Sequence, residues 1–406
     1  MTGMENPLLP SAGPLGRHVS RRTLWLCFLV CLCEGIDLQA AGVAAGGIRA
    51  QFHADATHFG YFFSASTLGL AIGALFGGRL ADHLGRRSVL LVSVCAFGLC
   101  SLLTALAWDQ ESLTWARLLT GLGLGGALPN VIALGAENAR DSRRSATVTM
   151  IYAAMPLGGA LASLTALVSA VEQWRWVFIV GGIAPLAIAP VLAALLPESG
   201  AFLQARDAGA GRIQDVLADG RAARTLLLWL SSLLGLLTLY LLLSWLPTLM
   251  TSSGLSKSQT ALAQIAFNVG GALASVVVGM KLETEMRRSG VLTVFLSLPC
   301  VLGLLAVDSG PVSATVLLVF LLGASVVSAQ GILYAYAPLC YPTAIRGTGV
   351  GFAVSMGRVG AFIGPLFGSA LVGSGRSPSQ VLAGLLPLVL VGSACAIFLM
   401  WRAPRA

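Results

Sequence analysis

Charge is what this chain has least of. Only 10% of its 406 residues are Asp, Glu, Lys or Arg, against roughly a quarter in a soluble globular protein. So few charges cannot cover a water-facing surface, which excludes an ordinary soluble enzyme and a disordered chain. Lysine is scarcer still. Lys257 and Lys281 are the only two, and no basic stripe interleaves with aromatic residues. The net charge of +8 is therefore not a nucleic-acid footprint. The four histidines (18, 53, 58 and 83) all fall outside the apolar runs. The eight cysteines (27, 31, 33, 95, 100, 300, 340 and 395) lie in or beside those runs. Their spacing suits neither a zinc site nor a secreted disulfide framework, so they read as small lipid- or core-facing residues and no metal is expected. His-Glu-x-x-His, a Gly-x-Gly-Asp pair and a P-loop lysine are also missing. No enzyme activity and no cofactor is expected, and ATP-driven transport is excluded.

Apolar residues take up the space: 56% of the chain is hydrophobic, with a mean hydropathy of +0.84. A membrane span needs about 20 such residues. Runs of that length fall at 23–45, 59–81, 88–107, 112–134, 146–170, 175–196, 224–246, 259–281, 289–307, 312–333, 347–372 and 381–401. The first contains Glu34 and Asp37 and lacks a small-residue cleavage site, so it reads as a span rather than a signal peptide. The expected fold class is an all-α membrane protein of twelve transmembrane helices in two pseudo-symmetric six-helix bundles. Residues 1–22 form an N-terminal tail, 23–196 the first bundle, 197–223 a polar linker, 224–401 the second bundle and 402–406 a short tail.

Basic residues give the orientation. With both termini cytoplasmic, 19 of the 25 Lys and Arg fall on the cytoplasmic side. Arg49, Arg175, Lys257 and Arg376 fall outside, and Arg117 and Arg358 lie within spans. That bias sets the topology. Trp25, Trp108, Trp115, Trp174, Trp176 and Trp401 sit at span ends, where an amphipathic ring prefers the membrane interface.

The two halves repeat. Gly78-Arg-Leu-Ala-Asp82-His-Leu-Gly85-Arg86-Arg87 follows the second run, and a degenerate copy beginning at Gly279 follows the eighth, 201 residues later. Arg144 before the fifth run and Arg346 before the eleventh are 202 apart. Two anchors at nearly one offset indicate a duplicated six-span unit, an arrangement that places a binding site between the halves near the midplane.

The loop at 78–87 resembles the signature loop of the major facilitator superfamily. Arg117-Leu-Leu-Thr-Gly121-Leu-Gly123 through Pro129-Asn130 is similar to its fourth-helix motif, and Pro197-Glu198-Ser199 to the motif ending its sixth helix. Within that superfamily the chain resembles the aromatic acid:proton symporters. The likeness is carried by Glu34-Gly35-Ile36-Asp37 and by Tyr341-Pro342-Thr343 through Arg346, Gly349, Arg358 and Gly364-Pro365. The run 34–48 is more similar to the hydroxyphenylpropionate branch than to the benzoate branch. Glu34 stands where the family usually has Asp. The resemblance implies proton-coupled uptake of a hydroxylated aromatic acid such as 3-(3-hydroxyphenyl)propionate by alternating access. Its partners would be the acid, protons and lipid, not nucleic acid, and it would act as a monomer in a bacterial inner membrane. Another aromatic or small organic acid, or proton-driven export, is the alternative. The fifth run, Met155-Pro156-Leu157-Gly158-Gly159, matches the exporters' Gly-Pro motif poorly. A transporter-derived receptor is a further alternative.

Four charges are stranded in the bilayer: Glu34, Asp37, Arg117 and Arg358. Such charges cost several kcal/mol and pair or line a cavity. At about 1.5 Å per residue, Asp37 lies about 12 Å and Glu34 about 16 Å below the outer end of span one. Arg117 lies about 8 Å below the start of span four, so tilt and side-chain length let Asp37 and Arg117 meet. The resemblance puts proton coupling on Asp37. Desolvation favours the protonated form of a carboxyl group and a nearby arginine the ionised one, so a conformational change can switch it. A static ion pair is the plainer alternative. Glu34 is open among coupling, substrate orientation and cavity wall.

Arg358, about 18 Å from the cytoplasmic face, is the candidate for the substrate carboxylate, which its guanidinium fork suits. A helix–helix clamp is the alternative, and Arg117 is a second carboxylate candidate. Tyr152, Tyr240, Trp245, Gln264, Asn268, Gln330, Tyr334 and Tyr336 are candidates for the ring pocket. Tyr334 and Tyr336 face nearly opposite ways on a helix, so only one points inward. Asn130 is ambiguous. Gating is assigned to the loop: Gly78, Asp82, Gly85, Arg86 and Arg87, with Asp82 pairing Arg86 or Arg87 near a helix N-terminus.

Overall fold

With no water in the hydrocarbon core, a spanning segment must close its backbone hydrogen bonds on itself. The apolar runs do so as helices in the computed structural model, which describes residues 20–139, 144–168, 170, 173–199, 216–218, 220–281, 287–308, 310–342 and 345–401. The elements are α1 (Arg21–Phe52), α2 (Ala56–Leu84), α3 (Arg86–Ala105), α4 (Gln110–Glu137), α5 (Arg144–Tyr152), α6 (Ala154–Val168) and α7 (Arg175–Leu195), followed by α8 (Ala222–Ser252), α9 (Lys257–Lys281), α10 (Arg287–Val307), α11 (Val312–Tyr336), α12 (Arg346–Gly373) and α13 (Pro378–Trp401). Twelve spans among the described residues are long and apolar enough to cross a membrane, with α5 and α6 sharing one. No strand occurs among the described residues. The N-terminal and C-terminal tails, most of the linker and residues 282–286 lie outside the described residues.

Helix ends follow local chemistry. Asp55 caps α2 by accepting from the His58 N–H at 2.8 Å. Asp109 and Ser112 form a capping box at the start of α4. Both caps lie outside the spans. Hydrogen bonds from the His58 backbone and ring hold the Asp55 carboxyl below its ordinary range. Those from the Ser112 hydroxyl and backbone do the same for Asp109. The fifth span breaks at Ala153 because Pro156 has no N–H to give the Tyr152 carbonyl, and its ring crowds that carbonyl. Tyr152 therefore sits at a bend.

Helices α1–α7 pack as one group through α2 with α4, α3 with α4 and α7, and α1 with α6. Helices α8–α13 pack as another through α8 with α12, α9 with α11, and α10 with α13. The groups meet where α2 runs along α12 and α9 runs along α5 and α6. The duplication shows here: α2 and α9 start 201 residues apart, and α5 and α12 start 202 apart. The two seams are therefore equivalent under the repeat. Along the first, Ser369 Oγ donates to the Ala56 carbonyl at 2.7 Å and Ser64 Oγ to that of Phe362 at 3.1 Å. Trp25, Trp108, Trp115, Trp176 and Trp401 are exposed, as interface residues should be. Trp174 differs. It is buried between Phe52 and Phe178, with the Arg175 guanidinium over its ring and Nε1 donating to Gln51 at 3.0 Å.

Candidate functional site

A wide vestibule and a smaller inner cavity lie between the halves. A vestibule of about 590 Å³ opens at the end carrying Arg49 and Lys257, walled by the last turns of α1 and α8 and the first turns of α2 and α9. Nearer the helix middles, a cavity of about 50 Å³ is lined by Gln39 from α1, Tyr152 from α5, Tyr240 from α8, Asn268 from α9, Tyr334 from α11 and Arg358 from α12.

Arg358 is 7% exposed. Its Nη1 donates to the Tyr240 hydroxyl at 3.3 Å. Among the described residues its Nε has no partner, and no carboxylate lies within ion-pairing distance of it. A buried guanidinium without a carboxylate retains donors for one. Around it Tyr152 and Tyr334 meet edge to face, with ring centroids 6.0 Å apart. Of the pair two residues apart, Tyr334 lines the cavity. Tyr336 is buried at the end of α11, next to Ala337 and Cys340 in a 3₁₀ turn.

Asp37 and Arg117 meet as the helical rise predicts. Arg117 Nη1 donates to Asp37 Oδ2 at 2.8 Å, with both side chains essentially inaccessible. Arg117 Nη2 donates to Ser66 Oγ at 3.0 Å and to the Asp37 carbonyl at 3.3 Å, and the guanidinium lies 5.6 Å from the centre of the Phe178 ring. Asp37 Oδ1 and Arg117 Nε are unpartnered among the described residues, so the pair is only partly satisfied. Glu34, one turn earlier on α1, is wholly buried, and neither carboxyl oxygen has a hydrogen-bond partner among the described residues. A carboxylate without hydrogen bonds is costly there.

At the opposite end from the vestibule, Arg86 pairs with Glu137 at the end of α4. Glu137 also accepts from Ser199 Oγ at 2.8 and 2.9 Å. The Arg87 N–H donates to Glu198 Oε1 at 3.0 Å, and its guanidinium to the Ala193 carbonyl. Gly85 joins α2 to α3 at φ 91°, a conformation that favours glycine, and the Glu198 carboxylate fills the space of an absent Cβ. The surroundings of Gly78 and the side chain of Asp82 lie outside the described residues. Glutamates from α4 and from beyond α7 thus hold the Arg86 guanidinium and the Arg87 backbone, while the expected pairing with Asp82 falls on a side chain outside the described residues.

Other candidates fall elsewhere. Trp245 lines the vestibule rather than the inner cavity, packs on Phe59 and Phe63, and donates to the Pro365 carbonyl at 2.9 Å. Gln330 is buried near Gly235, and its amide atoms have no partner among the described residues. Asn130 donates to the Gly126 carbonyl of its own helix at 2.8 Å. Gln264 and Asn268 hydrogen-bond to Gln39.

The family model of the Major Facilitator Superfamily matches residues 27–365 and again 228–406. The chain belongs to the major facilitator superfamily. Among relatives in this superfamily, it is 43% identical to the 3-(3-hydroxy-phenyl)propionate transporter of Escherichia coli (strain K12), covering 94% of each chain. It is 37% identical to a gallate transporter of Pseudomonas putida, over 92% of this chain and 90% of that one. It is 35% identical to the 4-hydroxybenzoate transporter PcaK of Pseudomonas aeruginosa, over 96% and 97%. The xylose transporter XylE of E. coli, solved in a partially occluded inward-open conformation, superposes with a TM-score of 0.75 at 17% identity, over 94% of this chain and 97% of that one. This superfamily likeness makes the chain a multi-pass membrane transporter and not an enzyme.

Sequence reasoning missed Gln39, Ser66 and Phe178. Gln39 carries a usable signal, a lone amide inside an apolar span two residues after an acid. Ser66 and Phe178 carry none, because serine and phenylalanine are ordinary within membrane helices.

Proposed function

We propose that this protein takes up a ring-hydroxylated aromatic acid, such as 3-(3-hydroxyphenyl)propionate, together with protons by alternating access across a bacterial inner membrane. In this reading it works as a monomer with both termini cytoplasmic. One observation carries the reading: a buried guanidinium, Arg358, with no carboxylate within ion-pairing distance among the described residues, in a cavity walled by tyrosines between the two halves. Arg358 binds the carboxylate and Tyr152, Tyr240 and Tyr334 flank the ring. The names of the relatives support the substrate class. The vestibule faces the periplasm, because the opposite end carries most of the basic residues.

Asp37 and Glu34 serve the protons. Protonating Asp37 removes the charge that holds Arg117, and Glu34, whose carboxyl oxygens have no hydrogen-bond partner among the described residues, is best tolerated neutral. A monoanion carried with one proton moves no net charge, so the pH gradient alone drives it. A second proton adds about 2.3 kcal/mol per 100 mV.

The test is uptake of labelled 3-(3-hydroxyphenyl)propionate into proteoliposomes with an acidic exterior, with gallate, 4-hydroxybenzoate and benzoate as competitors. Accumulation that Asp37→Asn abolishes while substrate exchange persists supports the reading. Absence of both accumulation and competition for every acid overturns it.

A further inference from the structure

Three primary amides join the halves between the two chambers. Gln39 Nε2 donates to Asn268 Oδ1 at 2.6 Å, and Gln264 Nε2 donates to Gln39 Oε1 at 2.6 Å. Asn268 Nδ2 lies 3.2 Å from Gln39 Oε1 and donates to the Gln264 carbonyl at 2.8 Å. All three are at most 3% exposed. Gln39 belongs to α1 in the first half, and Gln264 and Asn268 to α9 in the second. Gln264 lines the vestibule, while Gln39 and Asn268 line the inner cavity, so the cluster is the partition between them. Gly159 makes room for it, since a Cβ there would lie 2.7 Å from both Asn268 Oδ1 and Gln39 Nε2.

The inner cavity cannot hold the proposed substrate as it stands. Its volume is about 50 Å³, whereas a cavity of roughly 150 Å³ is what benzene alone occupies. An aromatic acid entering from the vestibule must part α1 from α9 here. Parting them strips buried amides of their partners, which is costly unless the ligand replaces what is lost. A carboxylate cannot replace it, being acceptor-only. A ring hydroxyl both donates and accepts, as each amide does.

We propose that the Gln39–Gln264–Asn268 cluster is the selectivity element for the ring hydroxyl. With the carboxylate on Arg358, the hydroxyl takes over the hydrogen bonds that the amides make to each other across the halves. A ring without a hydroxyl opens the same partition and leaves the amides unpaired. This rests on the aromatic-acid reading above and deepens it by assigning the hydroxyl preference to three named side chains.

The test compares 3-(3-hydroxyphenyl)propionate with 3-phenylpropionate as competitors of counterflow in proteoliposomes holding the full chain. Wild type is expected to prefer the hydroxylated acid by about tenfold or more, as sites built to bond a hydroxyl do. In Gln39→Leu and in the double variant Gln39→Leu/Asn268→Leu, which removes the amide of α1 and one of the two on α9, the preference is expected to fall below about threefold. Ligand-induced thermal stabilisation of the purified variants gives the same ratio where transport is too weak to read. A wild type indifferent to the hydroxyl, or variants that keep the preference, overturns the inference. Failure of the aromatic-acid reading looks different: neither acid competes or stabilises in wild type, and the inference falls with it.

Discussion

Arg117 and Arg358 are both buried guanidiniums, and their surroundings give them opposite characters. Arg117 is held by a carboxylate, a serine and a carbonyl, so its removal should be felt as instability. Truncating it to alanine leaves Asp37 buried and unpaired, a loss of about 3–5 kcal/mol. Arg117→Ala should therefore lower the unfolding temperature in detergent far more than Asp37→Asn/Arg117→Gln, in which no charge is stranded. Arg358 has one long hydrogen bond to a tyrosine, so its removal should be felt in substrate binding. Arg358→Ala should raise KM for the acid about 10- to 100-fold, equivalent to roughly 1.4–2.7 kcal/mol. Arg358→Lys should recover only part, because an ammonium lacks the fork. Equal KM in wild type and Arg358→Ala would return this residue to the role of helix clamp.

At the scale of the helix, run length was enough to place all twelve spans within a few residues at most ends. α1 and α8 are the exceptions, continuing to Phe52 and Ser252 through small and polar residues that hydropathy undervalues. The meeting of Asp37 with Arg117 was also legible, because rise per residue fixes depth. The break at Ala153 was less so. Pro156 shows that a kink occurs, but not that Tyr152 is turned into the cavity by it. Gln39 stood out as an amide within an apolar span, but its partners, more than 200 residues away, were illegible, and Trp174 was misjudged because a span end can face the protein as readily as lipid. Pro156→Ala should complete the helix across the bend, and an initial uptake rate reduced several-fold with the protein still folded would show that the bend positions Tyr152. The cap of α2 carries a pH prediction. The Asp55 carboxyl lies below its ordinary value of 3.8 in the folded protein, so its contribution is full above that value and fades as pH falls through the lower, folded one. Asp55→Ala should lower the unfolding temperature at pH 7, and the difference from wild type should shrink toward pH 3.

The whole molecule is two six-span units meeting along repeat-related seams. Gly60 of α2 and Ser369 of α12 come close enough that a Cβ on Gly60 would lie 2.6 Å from that of Ser369. A modest relaxation of the seam would bring this pair to disulfide geometry. Gly60→Cys/Ser369→Cys, oxidised, should block uptake by fixing the seam and recover it on reduction. Undiminished transport by the cross-linked protein would show that this seam stays closed throughout the cycle.

The ion pair has one more consequence. Asp37, Arg117 and Ser66 stand on α1, α4 and α2, all within one unit. Rocking one unit against the other carries the pair along as a passenger and neither makes nor breaks it. If the proton acts on this pair as proposed, its signal travels along α1 itself. That helix is clasped to α4 at Asp37 and reaches across to α9 with Gln39 two residues later. Loosening the clasp frees the rod to turn, and the turn is delivered at the partition. In the proposed cycle α1 is a crankshaft that gears proton to substrate without a single side chain touching both.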